Sequence, residues 1–208
     1  MKLKKSALLA AVMALCLLCG CGQKQEAEAT KETEPETADA EQKVAAYADI
    51  AVRDYGTITV ALCGEAAPET VENFITLAKD GFYDGLTFHR IMEGFMMQGG
   101  DPNGNGTGGS DKTIIGEFSA NGIENPLSHT RGAISMARAQ PFDSASSQFF
   151  IVHEDSTFLD GQYAAFGYVT KGMDVVDQVC KEAKPVDNNG TIPAEAQPVI
   201  DSITIREA

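Results

Sequence analysis

The chain has 208 residues and a formal net charge of −14, with 30 acidic against 16 basic side chains, 20 Gly and no Trp. A chain this acidic repels phosphate backbones, which argues against nucleic acid as a partner. The part beyond a polar first fifth is the size of one domain with its own core, and its glycine content suits a loop-rich β protein better than a helical bundle.

Lys2, Lys4 and Lys5 precede Ala7–Leu18, an apolar run of 12 residues. That run is too short to span a bilayer and fits the core of a signal peptide. It ends in Leu18-Cys19-Gly20-Cys21. Leu18 at −3 and Gly20 at −1 of Cys21 resemble the lipobox of bacterial lipoproteins, in which the Cys sulfur takes a diacylglycerol and becomes the new N-terminus. Cys16 and Cys19 fit worse, because Leu15 and Leu18 stand at their −1 positions. Residues 1–21 are therefore expected to be a lipoprotein signal ending at Cys21. The expected location is a cell membrane, facing outside the cytoplasm, with acyl chains enough for stable anchoring. Residues 22–45 read GQKQEAEATKETEPETADAEQKVA and hold no Phe, Tyr, Leu or Ile. Such a segment cannot bury enough to offset its ordering entropy, so a disordered acidic tether is expected.

From residue 46 to 208 the pattern changes to that of a folded domain. Tyr47–Val52 reads as a strand, Asp54-Tyr55-Gly56 as a turn, and Thr57–Leu62 as a returning strand with Ile58, Val60 and Leu62 on one face. Pro68 opens a helix at the favoured first position. Val71, Phe74, Ile75 and Ala78 form its apolar stripe, and Gly81 caps its end. Short apolar runs punctuated by glycine follow at 86–92, 94–98, 133–137, 148–152 and 164–169. A second helix starts near Met173 with Met173, Val176, Val179 and Cys180 on one side. Residues 185–198 read as a polar loop and Ile200–Arg206 as a last strand. Many short strands with two helices suggest a closed or nearly closed antiparallel barrel. Cys63 and Cys180 lie in a compartment that permits disulfides, but the expectation is two small buried apolar residues.

Several motifs are decoys. Residues 104–109, GNGTGG, satisfy G-x-G-x-x-G, yet Asp101-Pro102 precedes them and no helical stripe follows, so no dinucleotide site is expected. A lipobox implies a bacterial cell, so the sequons at Asn105 and Asn189 are expected to be accidents. His89, His129 and His153 lack paired-ligand spacing, so no metal is expected. No nucleophile motif such as G-x-S-x-G is present.

Three stretches carry the chemistry: FHRIMEGFMMQGGDP at 88–102, SMARAQPFDSASSQFFI at 135–151 and FLDGQYAAFGYV at 158–169. Each residue alone reads as core or surface. Together FHR, GFMxQGGD, GTGG, SMA, SQFFI and LDGxxxxFGxV, in this order from about Ile50 to Arg206, strongly resemble the cyclophilin family of peptidyl-prolyl cis–trans isomerases. The resemblance implies a mainly β fold, a closed eight-stranded antiparallel barrel capped by two helices. It implies Arg90 as the catalytic arginine. Phe95, Met96, Phe150 and Leu159 are then expected to line a proline pocket, with Gln98 and Gln148 holding the substrate backbone. Ala137, Arg138 and Ala139 would form the strand edge along which the peptide lies, and Phe158 and Tyr163 would complete the rim. The family's best-studied eukaryotic members have Asn at the position of Arg138, Trp at Phe158 and His at Tyr163. There the Trp indole N–H hydrogen-bonds the inhibitor cyclosporin.

The implied reaction agrees with these residue types. Rotation about an Xaa–Pro bond breaks no covalent bond, so no nucleophile, metal or cofactor is needed. The expected partners are proline-containing unfolded or exported polypeptides and, through the lipid, a membrane; a monomer is expected. Two other readings compete: a holdase or adaptor that binds proline segments without turnover, and a surface adhesin or immune decoy. Loss of the arginine, the pocket Phe or the Gln would have favoured the first, and all are present.

Overall fold

The computed structural model describes residues 43–208, so the expected leader, Cys21 and most of the expected tether lie outside the described residues. Strand β1 (Val44–Val52) alternates, burying Ala46, Ala48, Ile50 and Val52. Strand β2 (Gly56–Cys63) returns antiparallel, setting Ile58 opposite Ile50 and Val60 opposite Ala48. Asp54, in the left-handed region at φ 66, makes the turn, a conformation that Asp tolerates better than most side chains. β1 begins earlier than the alternation from Tyr47 indicates. Val44 pairs with Cys63, so residues 44 and 45, read as the end of the tether, belong to the strand.

Helix α1 (Pro68–Lys79) starts on proline, and Ala67 before it offers no side-chain cap. The cap comes from elsewhere in the chain. Buried Glu117 accepts the Glu69 N–H at 3.1 Å, the Thr70 N–H at 2.8 Å and the Thr70 hydroxyl at 2.6 Å. This satisfies N–H groups that a helix start leaves without partners and explains why Thr70 is buried. Val71, Phe74 and Ala78 face the core, while Ile75 is only half-buried at its edge. At the other end Gly81, φ 71, donates to Ala78 O and Phe82 donates to Leu77 O, the paired bonds of a glycine-terminated helix.

The remaining elements are β3 (Phe88–Met92), β4 (Met96–Gly99), β5 (Ala133–Met136), β6 (Phe149–Val152), β7 (Ala165–Lys171), α2 (Met173–Glu182) and β8 (Ile200–Glu207). The eight strands form one antiparallel sheet in the order β3-β4-β6-β5-β7-β2-β1-β8. It curls so that its two outer strands approach each other. No ladder joins β3 to β8. A single bridge, Thr87 to Val199, spans the seam, flanked by Phe88 N–H to Pro198 O at 2.9 Å and Ile200 N–H to Leu86 O at 2.8 Å. The expected closed barrel is thus met in part, as a curled eight-stranded sheet with a bridged seam. Pro198 has no N–H with which to extend a ladder there.

Inside the curl, Phe74 of α1 packs against Tyr83, Phe149 and Phe166 with ring centroids 5.3, 5.5 and 5.2 Å away. The buried Tyr83 hydroxyl donates to Ser147 O at 3.1 Å. Helix α2 buries Val175, Val176, Val179 and Cys180. Cys63 and Cys180 are both buried and are not joined to each other; burial pushes the Cys180 thiol up to about 12.

Replacing Glu117 by Ala strips two helix N–H groups and a buried hydroxyl of their acceptor. Urea unfolding of Glu117→Ala should show a loss of about 1–3 kcal/mol, and Glu117→Gln, which keeps a carbonyl acceptor, a smaller one. An unfolding free energy unchanged in the Ala variant would refute this account of how α1 begins.

Candidate active site

Strand register assembles the site. Arg90 stands opposite Gln98 across β3 and β4, Gln98 opposite Phe150 across β4 and β6, and Phe150 opposite Ser135 across β6 and β5. Directly paired residues share a face of the sheet, so one row of partners carries an arginine, an amide and an aromatic ring side by side. Phe95, Met96, Phe150, Leu159 and Tyr163 wall a cavity of about 190 Å³. Met96, Phe150 and Leu159 are buried, and the Tyr163 ring meets Phe150 edge-on at 5.9 Å. Arg90, Gln98, Ala137 and Arg138 complete the lining.

The Arg90 guanidinium is held on several sides. Its Nε–H donates to Asn189 O at 2.7 Å and Nη1 donates to Gln98 Oε1 at 3.3 Å. The other contacts are to sulfur, Met92 Sδ at 3.3 Å from Nη2 and Met96 Sδ at 3.8 Å from Nη1. Its carbon lies 5.9 Å from the centroid of the Phe95 ring. Burial pushes Arg90 below its ordinary value, but a guanidinium remains charged in any such setting. Behind Gln98 the donation continues: Gln98 Nε2 donates to Gln148 Oε1 at 2.9 Å, and Gln148 Nε2 donates to Gly108 O at 2.7 Å.

The other expected residues are distributed less simply. Phe158 does not line the cavity. It is 71% exposed and stacks on Phe95 from outside, centroids 5.7 Å apart. Residues 137–139 lie beyond the end of β5 and are not a strand. The Ala137 N–H is taken by Gln148 O and the Ala139 N–H by Ser144 Oγ. Arg138 lies over the rings of Phe118, Phe142 and Tyr163, at 5.2, 5.1 and 4.8 Å, and donates from Nε and Nη2 to Gln162 O. Gln148 and Ala139 line a second cavity of about 350 Å³, which shares Gln98, Ala137 and Arg138 with the first.

Three features escaped the sequence reading. Residues 185–198 are not a mere polar loop, because Asn189 supplies the carbonyl that holds Arg90 Nε. Asp187 Oδ1 accepts the N–H groups of Thr191 and Asn189, and these bonds hold its carboxyl below the usual range. Gly190, φ +84, sits so close to β3 that a Cβ there would lie 2.5 Å from Met92 Cγ and 2.7 Å from Ile91 O. What the Asn189 carbonyl holds was not visible in the sequence. Second, the GNGTGG loop is wound around buried Asp101, whose carboxylate accepts the N–H groups of Asn103, Asn105 and Gly106. Burial raises the Asp101 pKa, but these donors outweigh it and hold the carboxyl below its ordinary value. Third, His129 lies behind Phe150, its Nδ1 2.7 Å from Asp160 Oδ1 and its Nε2 2.9 Å from Ser135 Oγ. Burial pushes the His129 pKa down against the pull of Asp160. The neutral ring donates to Asp160 and accepts the Ser135 hydroxyl. The order is that of a hydrolytic triad, but Ser135 is wholly buried and cannot meet a substrate.

Comparison with known proteins identifies the family. The family model described as cyclophilin type peptidyl-prolyl cis-trans isomerase/CLD matches residues 47–207. The chain is 50% identical over 123 residues to peptidyl-prolyl cis-trans isomerase B of Bacillus subtilis, covering 59% of this chain and 82% of that protein. It is 46% identical over 136 residues to a peptidyl-prolyl cis-trans isomerase of Helicobacter pylori, covering 64% and 80%. A cyclophilin type isomerase of Cryptosporidium parvum, crystallised in the presence of the dipeptide ala-pro, superposes with a TM-score of 0.68 at 28% identity over 78% of this chain and 99% of that one. The chain belongs to the cyclophilin family and is a peptidyl-prolyl cis–trans isomerase.

Proposed function

We propose that the cavity beside Arg90 receives the proline ring of the substrate and that Arg90 is the catalytic residue. The observation that carries this reading is a guanidinium fixed by Asn189 O and Gln98 Oε1 at a cavity of about 190 Å³ that Phe95, Met96, Phe150 and Leu159 wall. The barrier to rotation, about 18–20 kcal/mol, comes from amide resonance, and unaided Xaa–Pro bonds turn over in tens to hundreds of seconds. As the bond twists, the proline nitrogen pyramidalises and regains its lone pair. An N–H of Arg90 donates to that lone pair, which exists only in the twisted state. The interaction therefore lowers the barrier rather than deepening the ground state. Partial burial of the guanidinium strengthens the donor. A 10⁵-fold acceleration asks for about 7 kcal/mol from all terms together. The guanidinium donors that face Met92 and Met96 sulfur have weak partners, which a substrate displaces at small cost. In this reading Gln98 and Gln148 hold the substrate backbone, Ala137, Arg138 and Ala139 border its path, and Phe158 extends the Phe95 wall outward.

The same proposal places the enzyme outside the cytoplasm, tethered to a membrane through a diacylglyceryl group on Cys21, with residues 22–42 as spacer. The support is the lysine-rich start, the 12-residue apolar run and the Leu-Cys-Gly-Cys sequence. Its clients are then exported polypeptides still carrying non-native Xaa–Pro bonds, met by a monomeric enzyme.

Three outcomes test these assignments. Arg90→Lys keeps the charge but loses the planar fork, so kcat/KM should fall at least about tenfold with the melting temperature unchanged; near wild-type kcat/KM would make Arg90 a bystander. Cells fed a clickable fatty acid should label the wild-type chain and not Cys21→Ala, and equal labelling of the two would sink the anchor. Finally, Phe158 lacks the indole N–H that the family uses toward cyclosporin. Phe158→Trp should tighten cyclosporin at least about fivefold, the low end for a missing buried hydrogen bond, and shift kcat/KM less than about threefold. No gain in inhibition would remove Phe158 from the rim.

A further inference from the structure

Phe95 forms a wall of the cavity from outside any strand, in the turn that joins β3 to β4. A turn is a weak support for a binding surface unless it is held from another element. The Phe95 N–H closes the turn on Met92 O at 3.0 Å. The rest of the grip comes from His153, just past the end of β6. Its backbone N–H donates to Phe95 O at 2.8 Å, and its ring Nδ1 accepts the Gly94 N–H at 2.9 Å. An accepting Nδ1 leaves the ring proton on Nε2, which faces Asp177 Oδ1 at 3.2 Å. Asp177 stands on α2. Arg131 binds both of its oxygens at 2.7 and 2.8 Å and also donates to His153 O at 2.7 Å. The side chain of His153 is 11% exposed and does not line the cavity. Its contacts run in one line, from α2 through Asp177 to the imidazole and on to Gly94 and Phe95.

We propose that His153 is a positioning residue for substrate binding. It fixes the Phe95 wall through the Gly94 N–H and is itself oriented by Asp177 and Arg131. The inference rests on the reading of the cavity as the proline pocket. The two oxygen acceptors of Arg90, Asn189 O and Gln98 Oε1, lie outside this turn, and its contact with the Phe95 ring, at 5.9 Å from the centroid, is the weaker hold. Loosening the wall therefore weakens binding of planar and twisted substrate alike, which appears in KM and not in kcat.

The experiment compares His153→Gln, His153→Asn and Phe95→Ala in the full chain, reading kcat, KM and hydrogen exchange of the Gly94 amide. The Gln side chain reaches the Nε2 position, keeping a donor for Asp177 but offering Gly94 no acceptor. The Asn oxygen falls near the Nδ1 position and keeps that acceptor. His153→Gln should raise KM and speed Gly94 exchange by about fivefold each, the size of one lost neutral hydrogen bond, with kcat within about twofold. His153→Asn should restore both quantities to within about twofold of wild type. An unchanged KM in the Gln variant, or an Asn variant as impaired as Gln, overturns the proposal. Phe95→Ala separates the two readings. If it leaves KM unchanged the pocket assignment itself fails; if it raises KM while His153→Gln does not, only the positioning role fails. Should the Gln variant not fold, Asp177→Ala, on the exposed side of α2, should raise KM by about twofold, and an unchanged KM overturns the proposal equally.

Discussion

The site depends on a one-way relay of hydrogen bonds that ends on Arg90. A guanidinium can only donate, so the Gln98 oxygen must face it. The Gln98 amide nitrogen then has to donate onward, and it meets the Gln148 oxygen; the Gln148 nitrogen meets the Gly108 carbonyl, which can only accept. Inverting either amide would set donor against donor at one end and acceptor against acceptor at the other. Both ends are therefore specified, and each Gln has one orientation. The loop that supplies Gly108 is wound on Asp101. A segment with the spacing of a phosphate-binding loop serves here to orient an arginine.

The relay also borders both cavities, since Gln98 faces both and Gln148 faces the larger. Behind the smaller one, Phe150 is backed by the His129 ring, itself held by Asp160 and Ser135. Ser, His and Asp thus appear in hydrolytic order inside an isomerase, with the serine sealed away and the imidazole neutral. The same constellation serves support in one setting and chemistry in another, which is why function follows from access and geometry rather than from residue types.

Much of this was legible in the chain. Alternation placed Ile58, Val60 and Leu62 on the buried face, and the helical stripe of Val71, Phe74 and Ala78 located α1. Most of the residues that line the cavity were legible through their motifs, because distinctive side chains have a spelling. Backbone groups do not. Asn189 acts through its carbonyl, which any residue possesses, so nothing marked it. The Glu117 cap lies 47 residues from Thr70, beyond any local pattern, and no periodicity would have predicted a buried Thr70. The resemblance put residues 137–139 on a strand edge, yet Gln148 O and Ser144 Oγ occupy two of their N–H groups. The half-buried Ile75 shows the same limit: a stripe identifies the face of a helix, and only packing decides how wide the covered band is.

The pairing of β1 with β8 has a consequence for how the protein is made. Ile50 lies opposite Ile203 and Ala48 opposite Ile205, so the first strand of the sheet finds its outer neighbour only when the last has been synthesised. Contacts this distant in sequence slow folding, because a large loop must close before they contribute. A nascent chain emerging from the ribosome holds β1 unpaired on that side, and the sheet cannot lock until residues 200–207 appear.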